Sequence, residues 1–293
     1  MSDSILDLVK ERVVLLDGGM GTELIRYGFP QGACPESWNM DKPEIVKKIH
    51  QSYFHAGSDV VLTNSFGGNK IKLSSYGLED KCYELNLEAA TLANEVKPEG
   101  KFVVGSMGPT GKFLKPHGEF TEEEFEDAFA EQARGLKAGK VDCLLIETQY
   151  DLKEAFCSLR GARKSSDLPV FVTMTFNRNP RGFFTLMGNS VSQCVKELEA
   201  ERVPVLGTNC TLDSAEMVDL IKIMREATSL PLIAQANAGQ PSLSSEGRVS
   251  YSQSMEDYVK YIPKMIEDGA NLIGGCCGTN PDYIKKIAEA IKK

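Results

Sequence analysis

Short apolar runs alternate with longer helical patterns along the whole of this 293-residue chain. The runs are apolar on successive residues instead of on every second one, which is typical of parallel strands covered on both faces. Eight such runs are present, at residues 13–17, 59–63, 102–106, 143–147, 170–175, 203–208, 232–235 and 271–274. Eight helical patterns follow them in turn, at residues 43–56, 81–96, 122–138, 152–164, 191–200, 214–227, 255–268 and 282–292.

Eight strands that are each followed by a helix predict an α/β fold, a single (β/α)8 barrel in which residues 1–293 form one domain. An open, doubly wound sheet is the alternative. The barrel is favoured because the count is eight and because no glycine-rich dinucleotide fingerprint follows the first run. In a barrel the carboxyl ends of all strands share one mouth, which is where barrel active sites form. Polar residues at the ends of the runs are therefore the candidates for function.

Composition and charge limit the class of protein. A net charge of −8 and a pI of about 5.2 argue against a general nucleic-acid binder. No apolar run approaches the roughly 20 residues needed to span a bilayer, and no N-terminal stretch has the pattern of a signal peptide. We therefore expect a cytoplasmic protein without a nucleic-acid or membrane partner. Disulfides are rare in that compartment, so a cluster among the eight cysteines indicates a metal site or a catalytic site.

Two adjacent cysteines, Cys276 and Cys277, stand between glycines directly after the last apolar run. Neighbouring side chains of a regular strand point to opposite faces, so both thiols reach one metal only if the backbone leaves strand geometry, as glycines permit. Cys210 ends the sixth run, at the same predicted mouth. Three thiolates with one position left open predict a catalytic zinc site. A redox switch of the adjacent pair is the alternative. The other cysteines are expected to pack in the core, namely Cys34, Cys82, Cys143, Cys157 and Cys194.

Two acids and several small or amide residues also end apolar runs. Asp17 and Glu147 are placed to pair with the ammonium group of a substrate, or else to hold a loop by hydrogen bonds. Glycines around Met20 free backbone N–H groups to receive a carboxylate, unless they form an ordinary turn. Three asparagines either orient a ligand or satisfy loop backbone, and these are Asn64, Asn209 and Asn237.

These motifs together resemble the homocysteine S-methyltransferase family, and most closely the homocysteine-binding module of cobalamin-dependent methionine synthase. The resemblance rests on the stretches at residues 17–22, 63–67, 207–210, 236–239 and 274–279. It implies a zinc-bearing barrel with Cys210, Cys276 and Cys277 as the metal ligands. Ser65 stands where the commonest form of the motif has threonine, and the hydroxyl group is kept. The expected substrate-binding residues are Asp17, Gly18, Gly19, Met20, Asn64, Ser65, Glu147, Asn209 and Asn237.

The resemblance implies a zinc-dependent enzyme that transfers a methyl group to homocysteine and forms methionine. A methylated corrinoid on a separate protein is the expected donor, because no stretch remains for a cobalamin-binding module. Zn²⁺ is then the protein's own cofactor, and cobalamin belongs to the partner. One alternative is a methyltransferase that takes methyl from S-methylmethionine, S-adenosylmethionine, betaine or another small donor and passes it to homocysteine or to a corrinoid protein. Another is a protein that only binds a thiol amino acid or zinc.

Overall fold

Eight parallel strands form the centre of the molecule in a computed structural model that describes residues 4–243 and 249–292. The order around the sheet is β1-β8-β7-β6-β5-β4-β3-β2, so each strand from β2 to β8 lies beside the next one along the chain. The predicted α/β barrel is confirmed. The strands are β1 (Val14–Leu15), β2 (Val60–Leu62), β3 (Phe102–Met107), β4 (Cys143–Gln149), β5 (Val170–Met174), β6 (Leu206–Asn209), β7 (Leu232–Ala236) and β8 (Ala270–Gly275).

Helices follow the strands and cover the outside of the sheet. Side chains cap the starts of three helices: Thr121 makes a capping box with Glu124, and Asp213 and Asn280 accept hydrogen bonds from the first turns of their helices. The main helices are Pro43–Ala56, Cys82–Glu95, Glu122–Ala138, Leu152–Ser165, Val191–Ala200, Ser214–Ala227, Met255–Val259, Ile262–Glu267 and Pro281–Ile291. Among the described residues, no helix combines the length and the apolar character that crossing a membrane requires.

One predicted helix is broken, and several local elements were not predicted. The pattern at 255–268 forms two helices because Pro263 lacks the N–H that would continue the first one. The connections after β5 and β7 contain antiparallel hairpins. The hairpin strands are Asn177–Asn179 with Gly182–Phe184, and Pro241–Leu243 with Val249–Tyr251. The additional short helices are Ile5–Glu11, Met20–Arg26, Trp38–Asp41 and Lys70–Ser74.

The barrel interior has an apolar lower part and a polar upper part. The N-terminal helix Ile5–Glu11 closes the lower end, where Ile5, Leu8 and Val9 pack with the inward side chains of the strands. Leu145, Phe171 and Ile233 belong to this cluster. Two residues further along the same strands stand Glu147, Thr173 and Gln235, which share the inward direction because strand side chains alternate. Polar groups therefore collect at the mouth.

Carboxylates close the gap between β1 and β2, which share no strand ladder in the described part of the chain. Near the lower end, the Asp59 carboxylate accepts from the Leu15 N–H at 3.0 Å and forms ion pairs with Arg12 and Lys101. Burial raises the pKa of Asp59, but the hydrogen bonds from Arg12 and Lys101 outweigh it and the net shift is downward. Near the mouth, Asp17 Oδ2 accepts from the Leu62 N–H at 2.8 Å. Both acids thus replace missing strand contacts.

His50 gives the folded state a specific sensitivity to acid. Its ring is fully buried in helix Pro43–Ala56, neither ring nitrogen has a hydrogen-bond partner, and burial lowers its pKa to about 4. An unfolded chain has a histidine pKa of roughly 6.5, so below that pH the unfolded state binds the extra proton. The contribution of neutral His50 to the free energy of unfolding is therefore present above pH 6.5. It is lost as the pH falls, by roughly 2 kcal/mol between pH 7 and pH 5.

Urea unfolding of His50→Leu at pH 7 and pH 5 tests this expectation. The free energy of unfolding should fall by roughly 2 kcal/mol less in His50→Leu than in the wild type over this interval. His55→Leu, in the same helix but exposed, is the matched control and should keep the wild-type difference. An equal loss of stability in the wild type and in His50→Leu would contradict the assignment.

Candidate active site

A cavity of about 610 Å³ opens at the carboxyl ends of the strands. One side of its wall is apolar and is formed by Leu24, Ile25, Pro35, Leu62 and Phe66. The other side carries carboxylates, hydroxyls and all three of the predicted zinc-binding cysteines. A pocket with a largely apolar wall and a few convergent polar groups is the usual form of a small-molecule site.

The sulfur atoms of Cys210, Cys276 and Cys277 converge in this cavity. All three lie within 4.8 Å of one another, and the Cys210 and Cys277 sulfurs are 3.9 Å apart. Cys210 and Cys276 are half-buried and Cys277 is exposed, whereas the other five cysteines are buried. The barrel thus brings together two chain segments that are 67 residues apart.

The end of β7 holds both cysteine segments in place. The Cys210 N–H donates to the Gln235 carbonyl at 3.0 Å, and the Cys276 N–H donates to the Ala236 carbonyl at 2.8 Å. The Cys277 N–H then donates to Asn237 Oδ1 at 3.1 Å. Because β7 lies between β6 and β8, three consecutive residues of β7 and its following loop set the spacing of the sulfurs.

The backbone leaves strand geometry where the sulfurs are presented. Cys210 and Thr211 have φ angles of 65° and 58°, and Thr148 beside the cavity has a φ of 59°. This left-handed conformation is a steric outlier for the β-branched threonines, and such strain concentrates at functional sites. The strained turn at Cys210 directs its thiol toward the cysteine pair that follows β8.

The three thiols do not ionise independently. Hydrogen bonds from the Cys276 and Cys277 thiols lower the pKa of Cys210 to about 3. Hydrogen bonding to Cys210 raises the pKa of Cys277 to about 12 and also raises the pKa of Cys276. A cation close to the sulfurs would favour ionisation of Cys276 and Cys277 as well.

The arrangement of the sulfurs fits a zinc ion. Two sulfurs bound to a tetrahedral zinc at about 2.3 Å are separated by about 3.8 Å, and Cys210 and Cys277 are 3.9 Å apart. A second group of metal-ligating types occurs in the described residues, at Glu122, Glu126 and Cys157. There Arg160 already pairs with both carboxylates, at 2.7 and 2.5 Å. The cysteine cluster is the better candidate metal site.

Glu147 and Asp17 bring two carboxyl groups into the wall of the cavity. Glu147 accepts hydrogen bonds from the Ser106 hydroxyl and from Asn209 Nδ2, and burial raises its pKa to about 7. Burial likewise raises the pKa of Asp17 well above its ordinary value. Neither acid has a cationic side chain as its hydrogen-bond partner in the described structure, so a ligand ammonium group would supply the missing positive charge.

The loop after β1 is fastened to the loop that carries the cysteine pair. The Gly19 N–H donates to Thr279 Oγ1 at 3.2 Å, and the Gly278 N–H donates to Thr22 Oγ1 at 3.0 Å. Thr279 Oγ1 also donates to the Cys276 carbonyl at 2.7 Å. Gly18, Gly19 and Met20 thereby form the wall of the cavity next to the sulfurs.

Most of the predicted site residues line this one cavity. The residues on its wall are Asp17, Gly18, Gly19, Met20, Asn64, Ser65, Glu147 and the three cysteines. Asn209 and Asn237 are buried behind the wall and bond to Glu147 and to the Cys277 backbone, respectively. Asn64 donates through its Nδ2 to the Pro35 carbonyl, which connects the loops after β1 and β2.

Several wall residues were not predicted from the sequence. Ser106, Thr148 and Gln235 lie at strand ends, so the rule that selected Glu147 also applies to them. Glu36 and Tyr251 come from long connections without a periodic pattern, and the sequence offered no signal for them. Trp38, the only tryptophan, is buried against Phe29 with a ring separation of 5.1 Å and serves packing.

The contact between Gly19 and the cysteine loop leaves no space for a side chain. A Cβ on Gly19 would lie 2.7 Å from Thr22 Oγ1 and 2.8 Å from the Cys276 carbonyl oxygen. Gly19→Ala should therefore lower the free energy of unfolding by about 1–3 kcal/mol. Gly21→Ala is the matched control, since nothing lies within 4 Å of its added Cβ and alanine favours helix Met20–Arg26. Equal stability of the two variants in urea unfolding would show that the loops are not in close contact.

Comparison with known proteins agrees with this geometry. The chain is 31% identical to methionine synthase of Mycobacterium leprae and 30% identical to that of Mycobacterium tuberculosis, over 99% and 98% of its length. It spans about 25% of the length of each of these relatives.

Solved structures share the fold. The homocysteine methyltransferase MmuM of Escherichia coli in its metallated form superimposes with a TM-score of 0.80 at 23% identity, over 96% of this chain and 97% of that one. Its apo form gives a TM-score of 0.75. The family model described as homocysteine S-methyltransferase matches residues 14–291. The resemblance predicted from the motifs is confirmed: this chain belongs to the homocysteine S-methyltransferase family of methyltransferase enzymes.

Proposed function

We propose that residues 1–293 act as one zinc-dependent domain that transfers a methyl group to the sulfur of homocysteine and releases methionine. The observation that carries this proposal is the convergence of three cysteine sulfurs in the wall of an open cavity. The family to which the chain belongs supplies the substrate. We place the reaction in the cytoplasm, where thiol ligands stay reduced.

Cys210, Cys276 and Cys277 are the proposed zinc ligands, and β7 holds them ready for the ion. The chemistry that zinc would supply at these ligands is deprotonation of the homocysteine thiol near neutral pH, and the thiolate is the nucleophile. The protein's own contribution is positioning, because a correctly placed thiolate needs no further proton transfer to attack a methyl group.

The amino acid end of the substrate is proposed to lie between the loop after β1 and the end of β4. Glu147 and Asp17 would hold its ammonium group, and the positive charge would favour the ionised form of these acids. Backbone N–H groups of the segment Gly18 to Met20 would receive its carboxylate. Asn64 and Ser65 complete the wall on the β2 side.

A methylated corrinoid carried by a separate protein is the proposed methyl donor. Exposed apolar side chains surround the mouth, with exposures of 58% for Ile25, 42% for Phe66, 39% for Phe113 and 63% for Leu186. Such a rim is typical of a surface that binds another protein. Cobalamin would then belong to the partner and not to this chain.

Replacing any one of Cys210, Cys276 or Cys277 with alanine should remove zinc and activity together. Two sulfur ligands leave a site that holds zinc much less tightly, and the substrate thiol then stays protonated. The measurement is the zinc content of each purified variant together with its rate of methionine formation. Cys157→Ala is the control: it removes a thiol from the other metal-ligating group and should keep one zinc per chain. Full zinc content in all three cluster variants would refute the assignment.

A screen of methyl donors separates the proposed function from its alternatives. The zinc-loaded protein should form methionine from homocysteine and methylcobalamin, and a methylated corrinoid protein should react faster than the free cofactor because it can bind the rim. S-methylmethionine, S-adenosylmethionine and betaine should each give a much lower rate. Higher activity with one of these compounds would replace the proposed donor. Homocysteine binding without turnover of any donor would indicate a binding protein.

A further inference from the structure

We propose that Asn209 is a positioning residue whose amide fixes the Glu147 carboxylate and the turn at Thr148 for the amino acid end of the substrate. This inference rests on the proposed function, since it takes homocysteine as the substrate. From the sequence, Asn209 was expected either to orient a ligand or to satisfy loop backbone. Its side chain lies behind the cavity wall, fully buried, at the carboxyl end of β6.

Hydrogen bonds on both sides fix the orientation of the Asn209 amide. Oδ1 accepts from the Thr148 N–H and from the Thr173 hydroxyl, each at 2.8 Å. A backbone N–H is only a donor, so the amide atom that faces the Thr148 N–H must be the oxygen, and the other atom is the amino group. Nδ2 donates to Thr148 Oγ1 at 2.7 Å and to Glu147 Oε2 at 3.2 Å, and it lies 3.9 Å from Cys276 Sγ.

This one side chain therefore connects the acid, the strained turn and a sulfur of the cluster. Thr148 has a φ of 59°, an unfavourable value for a β-branched residue, and Asn209 bonds to both its N–H and its hydroxyl. The bond to Glu147 is made where water is excluded, which strengthens a hydrogen bond to a carboxylate.

Without the Asn209 amino group, the Glu147 carboxylate would keep only the Ser106 hydroxyl, which bonds to Oε1. Oε2 would then be free to turn away from the substrate's ammonium group. That ammonium group does not react, so its contact is made equally in the ground state and in the transition state. Losing a contact of this kind raises KM and leaves kcat nearly unchanged.

Asn209→Asp replaces the amino group of the amide and keeps its acceptor oxygen. The variant keeps an acceptor for the Thr148 N–H and for Thr173, but it places a carboxylate oxygen opposite Glu147. The KM for homocysteine should rise at least about tenfold while kcat stays within about threefold. Zinc content should remain at one ion per chain, and the dissociation constant for homocysteine by calorimetry should rise with KM.

Thr175→Val is the matched control. The Thr175 hydroxyl donates to the backbone carbonyl of Asn209 at 2.9 Å, so this variant removes a neighbouring hydrogen bond without touching the amide. Its KM should stay within about twofold of the wild type. A wild-type KM in Asn209→Asp would overturn the inference, and so would loss of zinc or a fall in kcat at unchanged KM.

If Asn209→Asp does not fold, Asn209→Ser takes its place and is measured with and without Thr148→Gly. Glycine adopts the left-handed turn freely, so the double variant should regain thermal stability while its KM stays raised. Recovery of KM in the double variant would overturn the inference, because the turn and not the carboxylate would then control binding.

If the wild type binds homocysteine but transfers no methyl group, the proposed function fails. The dissociation constants of the wild type and of Asn209→Asp for homocysteine still decide the role of Asn209.

Discussion

The rest of the site depends on three hydrogen bonds at the end of β7, two accepted by backbone carbonyls and one by the side chain of Asn237. Gln235 and Ala236 accept from Cys210 and Cys276, and Asn237 accepts from Cys277. A parallel barrel places β7 between β6 and β8, so the closure of the sheet itself brings the three sulfurs together. Hydrogen bonds among the three thiols lower the pKa of Cys210 and raise those of Cys276 and Cys277, and a cation close to the sulfurs would favour the ionised form of all three.

The division of the barrel interior explains how a stable fold can carry such a site. The lower part is filled by apolar side chains and closed by helix Ile5–Glu11, so its packing does not depend on the mouth. The upper part holds Glu147, Thr173, Asn209 and Gln235, whose hydrogen bonds run between strands. Thr148, Cys210 and Thr211 have their left-handed backbone in that part. Burial of apolar side chains in the lower part stabilises the fold enough to hold these residues in a strained backbone conformation.

The regular segments of the chain were predictable from the sequence, and the irregular ones were not. The eight strands and most helices were predicted because a doubly covered strand and an amphipathic helix leave periodic patterns. The cysteines, Asp17 and Glu147 were predicted because strand ends share one mouth. The position of Asn209 and Asn237 behind the wall was not, since an asparagine that binds a ligand and one that holds a loop have the same sequence signal. Glu36 and Tyr251 lie in long connections. The tertiary contacts that bring them to the cavity wall leave no local pattern in the sequence.

X-ray absorption at the zinc edge is the most direct test of the central claim, that three sulfurs of this chain hold one zinc and leave a position for the substrate thiol. The zinc-loaded protein should show three sulfur ligands at about 2.3 Å and one lighter ligand. Addition of homocysteine should convert the first shell to four sulfurs. Two or fewer sulfurs in the resting protein, or a first shell that homocysteine leaves unchanged, would contradict the account.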